Sequence, residues 1–320
     1  MTAPPSRWRL HDRLVDWLSP SMPVPDRRDP WDAIRDQVSA IEVRARTQLR
    51  DQFAGDFRSA FRGRGLEFSD IRAYLPGDDV RFIDWNVTAR RGEPFVKQFV
   101  EEREQTVFLL LDVSGSESFG TVGRSVRDYA TEVAGLLGFA AALSNDRVGG
   151  AAFSDDLEYT LPARKGTRHV LRLLHDLLSL EPRSRGTNLR GALEYTSRLL
   201  RRGSVIFLIS DFANSPGDDW DAALRRLGFQ HDVVALVVHD PHEADLPAGG
   251  LISLRDSEAG ASVVVETAIA APRLRTQSEA RLADLPGRLR AARVDYAILP
   301  TDEPYLRTLT ALFRRRTRRR

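Results

Sequence analysis

The stretch Thr106-Val107-Phe108-Leu109-Leu110-Leu111-Asp112-Val113-Ser114-Gly115-Ser116 is an apolar run that stops at a carboxylate and two hydroxyls on alternate positions. β-Prone residues without polar interruption form a strand buried on both faces, the pattern of a central parallel strand. The carboxyl end of such a strand opens on a ligand crevice. Two later segments repeat the layout. Gly186-Thr187-Asn188-Leu189-Arg190-Gly191-Ala192-Leu193 opens an amphipathic helix, and Val205-Ile206-Phe207-Leu208-Ile209-Ser210-Asp211 is another buried strand ending in a carboxylate. Asp112, Ser114, Ser116, Thr187 and Asp211 are thereby placed to converge.

An oxygen-only set without His or Cys suits a hard divalent cation. Magnesium accepts a few protein oxygens and keeps waters in its octahedron, manganese fits similar ligands, and calcium usually wants more carboxylates. Two aspartates only neutralise a dication, so the ion stays electrophilic toward an acidic group from outside. The bland alternative has Ser114 and Thr187 capping helices and Asp211 starting a loop.

The set resembles the metal-ion-dependent adhesion site of von Willebrand factor A domains, an Asp-x-Ser-x-Ser loop joined by a distant Thr and a distant Asp. Asp112-Val113-Ser114-Gly115-Ser116, Thr187 and Asp211 match it member by member. The resemblance implies that Ser114 and Ser116 ligate directly, that Thr187 is direct or water-linked, and that Asp112 and Asp211 hold coordinated waters. It also implies that docking can shift the last helix. Glu117, next after the loop, reads as an outer contact through water or as a solvated residue on a partner surface.

Upstream, the block from Gly63-Arg64-Gly65-Leu66-Glu67-Phe68 through Pro76-Gly77-Asp78-Asp79-Val80-Arg81-Phe82-Ile83-Asp84-Trp85-Asn86 to Ala89-Arg90 is similar to the signature of bacterial domain-of-unknown-function family fifty-eight. That family carries the block just ahead of an A-type domain. The resemblance implies a MoxR-type AAA+ ATPase as partner and a role in assembling or activating client proteins. Within the block, dense charges of both signs read as an ion-pair network fastening it to the following domain. The alternative is a second partner surface anchored by Arg81 and Trp85. Gly63-Arg64-Gly65 lacks the Lys-Ser/Thr and the strand-to-helix context of a phosphate loop.

Further along, strands and helices alternate. Helix is expected over 123–144, strand over 147–153 with a hairpin partner at 157–161, helices over 167–180 and 188–201, and a helix near 219–227. A strand over 232–238, a hairpin at 251–255 and 262–266, a helix over 273–292, a strand over 294–299 and a helix from Tyr305 follow. This order gives an α/β fold, a doubly wound and mostly parallel sheet of the von Willebrand factor A-like kind. The expected domains are an amphipathic N-terminal segment and linker (1–30), a helical arm with a small β-rich signature subdomain (31–104), the A-like domain (105–313) and a basic tail (314–320). The tail reads as disordered and solubilising, or as a contact for RNA, acidic lipid or an acidic partner.

The chain has 320 residues, 42% of them hydrophobic, so it can bury a substantial core. With no Cys, disulfides, thiolate zinc and a Cys nucleophile are excluded. The pI of 9.1 rests on a net charge of only +2, which does not imply nucleic acid. Lys occurs only at Lys97 and Lys165, and the rest of the basic residues are Arg. No apolar run approaches the ~20 residues of a membrane span, so the expected compartment is the cytoplasm. Trp8, Leu10, Leu14, Trp17 and Leu18 share a helical face that packs on the protein or lies on a bilayer surface. His231, His239 and His242 lack a zinc-like spacing and read as ordinary residues. Metal-dependent hydrolysis is the first functional alternative, but Ser114 and Ser116 have no His partner in context and no Gly-x-Ser-x-Gly elbow exists. RNA binding through the Arg-rich tail is the second. The expected function is a noncatalytic adaptor without a small-molecule substrate, docking an acidic partner residue on magnesium.

Overall fold

The decisive apolar run forms the strand Thr106–Asp112, and five further strands assemble on either side of it. The computed structural model describes residues 30–49, 53–61, 67–100, 104–118, 124–213, 219–243, 245–246, 249–255 and 262–319. The predicted amphipathic face between Trp8 and Leu18 lies outside them.

In chain order the elements are α1 (Pro30–Leu49), α2 (Phe53–Ala60), β1 (Glu67–Ala73), α3 (Trp85–Arg91), β2 (Phe95–Val100), β3 (Thr106–Asp112) and α4 (Val126–Leu143). Then come β4 (Arg147–Phe153), β5 (Leu157–Lys165), α5 (Thr167–Leu178), α6 (Leu189–Leu199), β6 (Val205–Ser210), α7 (Asp221–Gln230) and β7 (Asp232–His239). The chain closes with β8 (Leu251–Arg255), β9 (Ser262–Glu266), α8 (Thr267–Ala291), β10 (Asp295–Pro300) and α9 (Tyr305–Arg319). The main sheet has the order β10-β7-β6-β3-β4-β5, and every pairing in it is parallel except β4 with β5. The chain leaves β3 toward β4 on one side and returns to β6 on the other. That reversal puts the topological switch point, where open α/β sheets bind ligands, at the carboxyl ends of β3 and β6.

Alternation along β3 divides the core. Val107, Leu109 and Leu111 join one apolar cluster with α4, α5 and α9, while Phe108 and Leu110 join a second with α6, α7 and the end of α8. The arm α1–α2 is not a separate unit. Val38, Ile41, Ala45, Leu49, Phe53 and Phe57 belong to the first cluster. α1 lies so close to α4 that a Cβ on Gly135 would sit 2.5 Å from the Ile41 Cγ2.

Two expectations fail. The ion pairs described for the signature block close within it: Arg72 with Asp78, Arg81 with Asp79, and Lys97 with Asp84. Neighbouring charges of opposite sign find each other before they reach another domain, so the fastening network is not what these pairs form. The basic tail is also corrected. α9 runs as helix through Arg319, and Arg316 is buried, bridging Asp232 at the start of β7 and Asp295 at the start of β10. Among the described residues, no helix is long and apolar enough to cross a membrane.

Candidate metal centre

β3 delivers Asp112 to the switch point and then turns sharply. The Asp112 Oδ1 accepts the Ser114 N–H (3.0 Å) and its Oδ2 accepts the Ser210 hydroxyl (2.7 Å) across the β3/β6 junction. The Ser114 and Ser116 hydroxyls stand 3.1 Å apart, so the alternate spacing does bring both to one place. Asp112 and Ser114 are buried and Ser116 partly so.

β6 delivers Asp211, likewise buried, and its Oδ1 accepts the Ala213 N–H (2.8 Å). The next residue, Phe212, has φ of 54°, a left-handed conformation that a bulky side chain adopts only where its surroundings force it. Phe212 is held there by its N–H bond to the Ser210 hydroxyl (3.0 Å) and by its edge-on packing against Trp220.

Thr187 is buried in the loop ahead of α6. That loop is tied to the Ser114–Ser116 turn by the Gly115 N–H, which donates to the Arg185 carbonyl (2.7 Å), and to the end of β4 by the Asn188 N–H on the Ser154 carbonyl (2.9 Å). Gly186 lets the Asp155 carboxylate lie against the loop backbone, where a Cβ would push that side chain aside. The capping alternative does not account for Ser114 or Thr187. α6 is capped by Asn188, whose side chain accepts the Gly191 N–H, and α4 by Ser125 in a capping box with Asp128.

Glu117 departs from its expected role. It is 0% exposed, not a solvated partner-surface residue, and lies in a short 3-10 turn at Ser116–Ser118. Its Oε1 accepts the Asp211 N–H (3.1 Å), while its Oε2 has no hydrogen-bond partner. One carboxylate oxygen from each of Asp112, Glu117 and Asp211 lies within 4.8 Å of the others. Burial first, and then the neighbouring Asp211 charge, pushes the Asp112 carboxyl up out of the usual range. Burial, followed by the charges of Asp211 and Asp112, pushes Glu117 up as well. Like charges crowded in a dry pocket disfavour their own ionisation, and a bound cation reverses that preference.

Ser210, which the sequence reading passed over, is thus a structural member of the site. The other two surface candidates lie elsewhere, on the signature block. Trp85 is 67% exposed and the Arg81 side chain 82% exposed, paired to Asp79. Of the histidines, His242 faces Asp245 (2.8 Å), and desolvation pushes the buried His231 below its ordinary value.

A family profile described as "Protein of unknown function DUF58" matches residues 70–284. The "Uncharacterized protein Rv1480" of Mycobacterium tuberculosis is 32% identical over 293 residues, covering 90% of this chain and 90% of its own length. The "Uncharacterized protein YeaD" of Bacillus subtilis is 28% identical over 109 residues, 34% of this chain and 25% of that protein. Among solved structures, the conserved hypothetical protein BatB from Bacteroides thetaiotaomicron is similar with a TM-score of 0.44 and 19% identity, covering 67% of this chain and 99% of that one. A von Willebrand factor type A structure from Catenulispora acidiphila is similar with a TM-score of 0.29 and 16% identity, covering 57% of this chain and 43% of that one.

Proposed function

The chain belongs to the DUF58 family, and from that premise we propose that it is a noncatalytic adaptor whose interactions depend on a divalent metal. The observation that carries this reading is the meeting of buried Asp112, Glu117 and Asp211 with the Ser114 and Ser116 hydroxyls at the switch point of the sheet. Three carboxylates in a dry site are unstable company without a cation.

Ser114 and Ser116 would ligate through their hydroxyls, with Thr187 beside them and Asp112 and Asp211 holding the outer shell. When bound, magnesium or manganese supplies an electrophilic position that an acidic side chain of another protein can occupy. The chain's own residues do the rest. Asp112 fixes the loop by accepting the Ser114 N–H, and Ser210 fixes Asp112. The partner fitting the family resemblance is a MoxR-type AAA+ ATPase, with a client protein that it assembles or activates, in the cytoplasm. The RNA alternative is weakened because Arg314, Arg316 and Arg319 of the basic segment are engaged by Asp56, Asp232 and Asp295.

The test is binding to the purified cognate MoxR-type ATPase on a sensor surface. Binding in magnesium should vanish with chelator and in Asp112→Ala, with the variant's circular dichroism unchanged. Undiminished binding by a folded Asp112→Ala protein would refute the adaptor mechanism.

A further inference from the structure

We infer that Glu117 is itself a direct ligand of the cation, bonded through Oε2, and so the internal occupant of a vertex that a partner's acid must take over. This rests on the metal reading above. Both Asp112 oxygens accept hydrogen bonds, from the Ser114 N–H and the Ser210 hydroxyl. The Asp211 Oδ1 accepts the Ala213 N–H and the Glu117 Oε1 accepts the Asp211 N–H. The Glu117 Oε2 is buried with nothing bonded to it.

An ionised Oε2 is a buried charge without a donor, and a protonated one has only the neighbouring carboxylates to turn to. Arg127, whose charge favours ionised Glu117 from a distance, spends one guanidinium nitrogen on the Leu177 and Leu180 carbonyls. A metal ion is the partner that satisfies the oxygen. The spacing agrees: the three carboxylates have oxygens within 4.8 Å of one another, which leaves room for Glu117 to make a ~2.1 Å magnesium bond while the two aspartates hold waters of the same ion. The side chain is also pre-positioned, because its other oxygen is pinned to the backbone of Asp211.

The consequence concerns selectivity for the partner. With two aspartates a dication is neutralised, whereas a third carboxylate makes the loaded site a net anion. An incoming acid then meets repulsion unless it displaces Glu117. The resting site is therefore closed by its own glutamate, and docking exchanges one carboxylate for another.

Calorimetric titration of manganese into the folded wild type, Glu117→Gln and Asp112→Asn proteins tests this. Wild type should take up one ion, Glu117→Gln should bind at least tenfold more weakly, and Asp112→Asn should take up none. Equal affinity in Glu117→Gln alongside loss in Asp112→Asn overturns the Glu117 assignment and leaves the metal reading standing. No uptake by wild type overturns both. Should Glu117→Gln fold poorly, electron–nuclear double resonance on manganese-loaded wild type labelled with carbon-13 glutamate gives the answer. Carbon-13 coupling supports direct ligation, and its absence overturns it.

Discussion

Ser210 shows how much a single hydroxyl can hold in place. It donates to Asp112 and accepts from the Phe212 N–H, thereby coupling the two strand ends and supporting the left-handed Phe212. Ser210→Ala strands a buried carboxylate oxygen and a buried N–H together, and should cost about 1–3 kcal/mol in urea unfolding. Glu117→Gln should do the opposite in chelator, stabilising the metal-free protein by about 1–3 kcal/mol, because it removes an ionisable group held in a dry, anionic pocket. A loss of stability in the second variant would contradict the picture of Glu117 as an uncompensated acid. The oxygen-bearing side chains Asp112, Ser114, Ser116, Thr187 and Asp211 could be picked out from sequence because two strand ends and the loop ahead of α6 carry them in a recognisable order. Ser210 and Glu117 could not. A Glu between two Ser looks the same whether it is solvated or folded inward, and only the turn over β3 and β6 decides which.

At the level of elements, α9 corrects the reading of charge runs. Asp232 and Asp295 begin neighbouring parallel strands, concentrating negative charge at the amino edge of the sheet, and the carboxyl end of a helix favours cations. Arg316 fills that need with its side chain only 6% exposed. Arg316→Met should cost roughly 3 kcal/mol, since it leaves two half-buried carboxylates without their cation. Arg318→Ala, on the exposed side of the same helix, should stay within about 0.5 kcal/mol of wild type. Equal effects from the two substitutions would mean that the arginines act as a diffuse charge. Most strand and helix positions followed from alternation alone, with β4, β8 and β9 found where expected. α8 starts six residues before its predicted Arg273, and Pro272 is accommodated inside the helix. A proline costs one hydrogen bond there, which exposed backbone can recover from water.

For the whole molecule, charge is sorted by edge: the arginine clamp at the amino edge and the acidic centre at the carboxyl edge. Doubly wound topology was readable because β3 and β6 are apolar between their end residues, and such strands need helices on both faces. The fate of the signature block's charges was not, because sequence gives their signs without saying which neighbours lie within reach. Away from the centre, burial raises the Asp146 carboxyl from the usual 3.8 to about 6. A raised carboxyl binds more protons folded than unfolded between those values, so its contribution to stability is present below pH 3.8 and lost as pH rises toward 6. Urea midpoints measured over that range should fall less steeply with pH in Asp146→Asn than in wild type.

Anomalous diffraction from a crystal grown in manganese would locate a cation at the switch point. A single strong peak is expected, bonded to the Ser114 and Ser116 hydroxyls and the Glu117 Oε2, with Asp112 and Asp211 around it. A well-ordered site without a peak at millimolar manganese, or a peak bound only elsewhere, would contradict it.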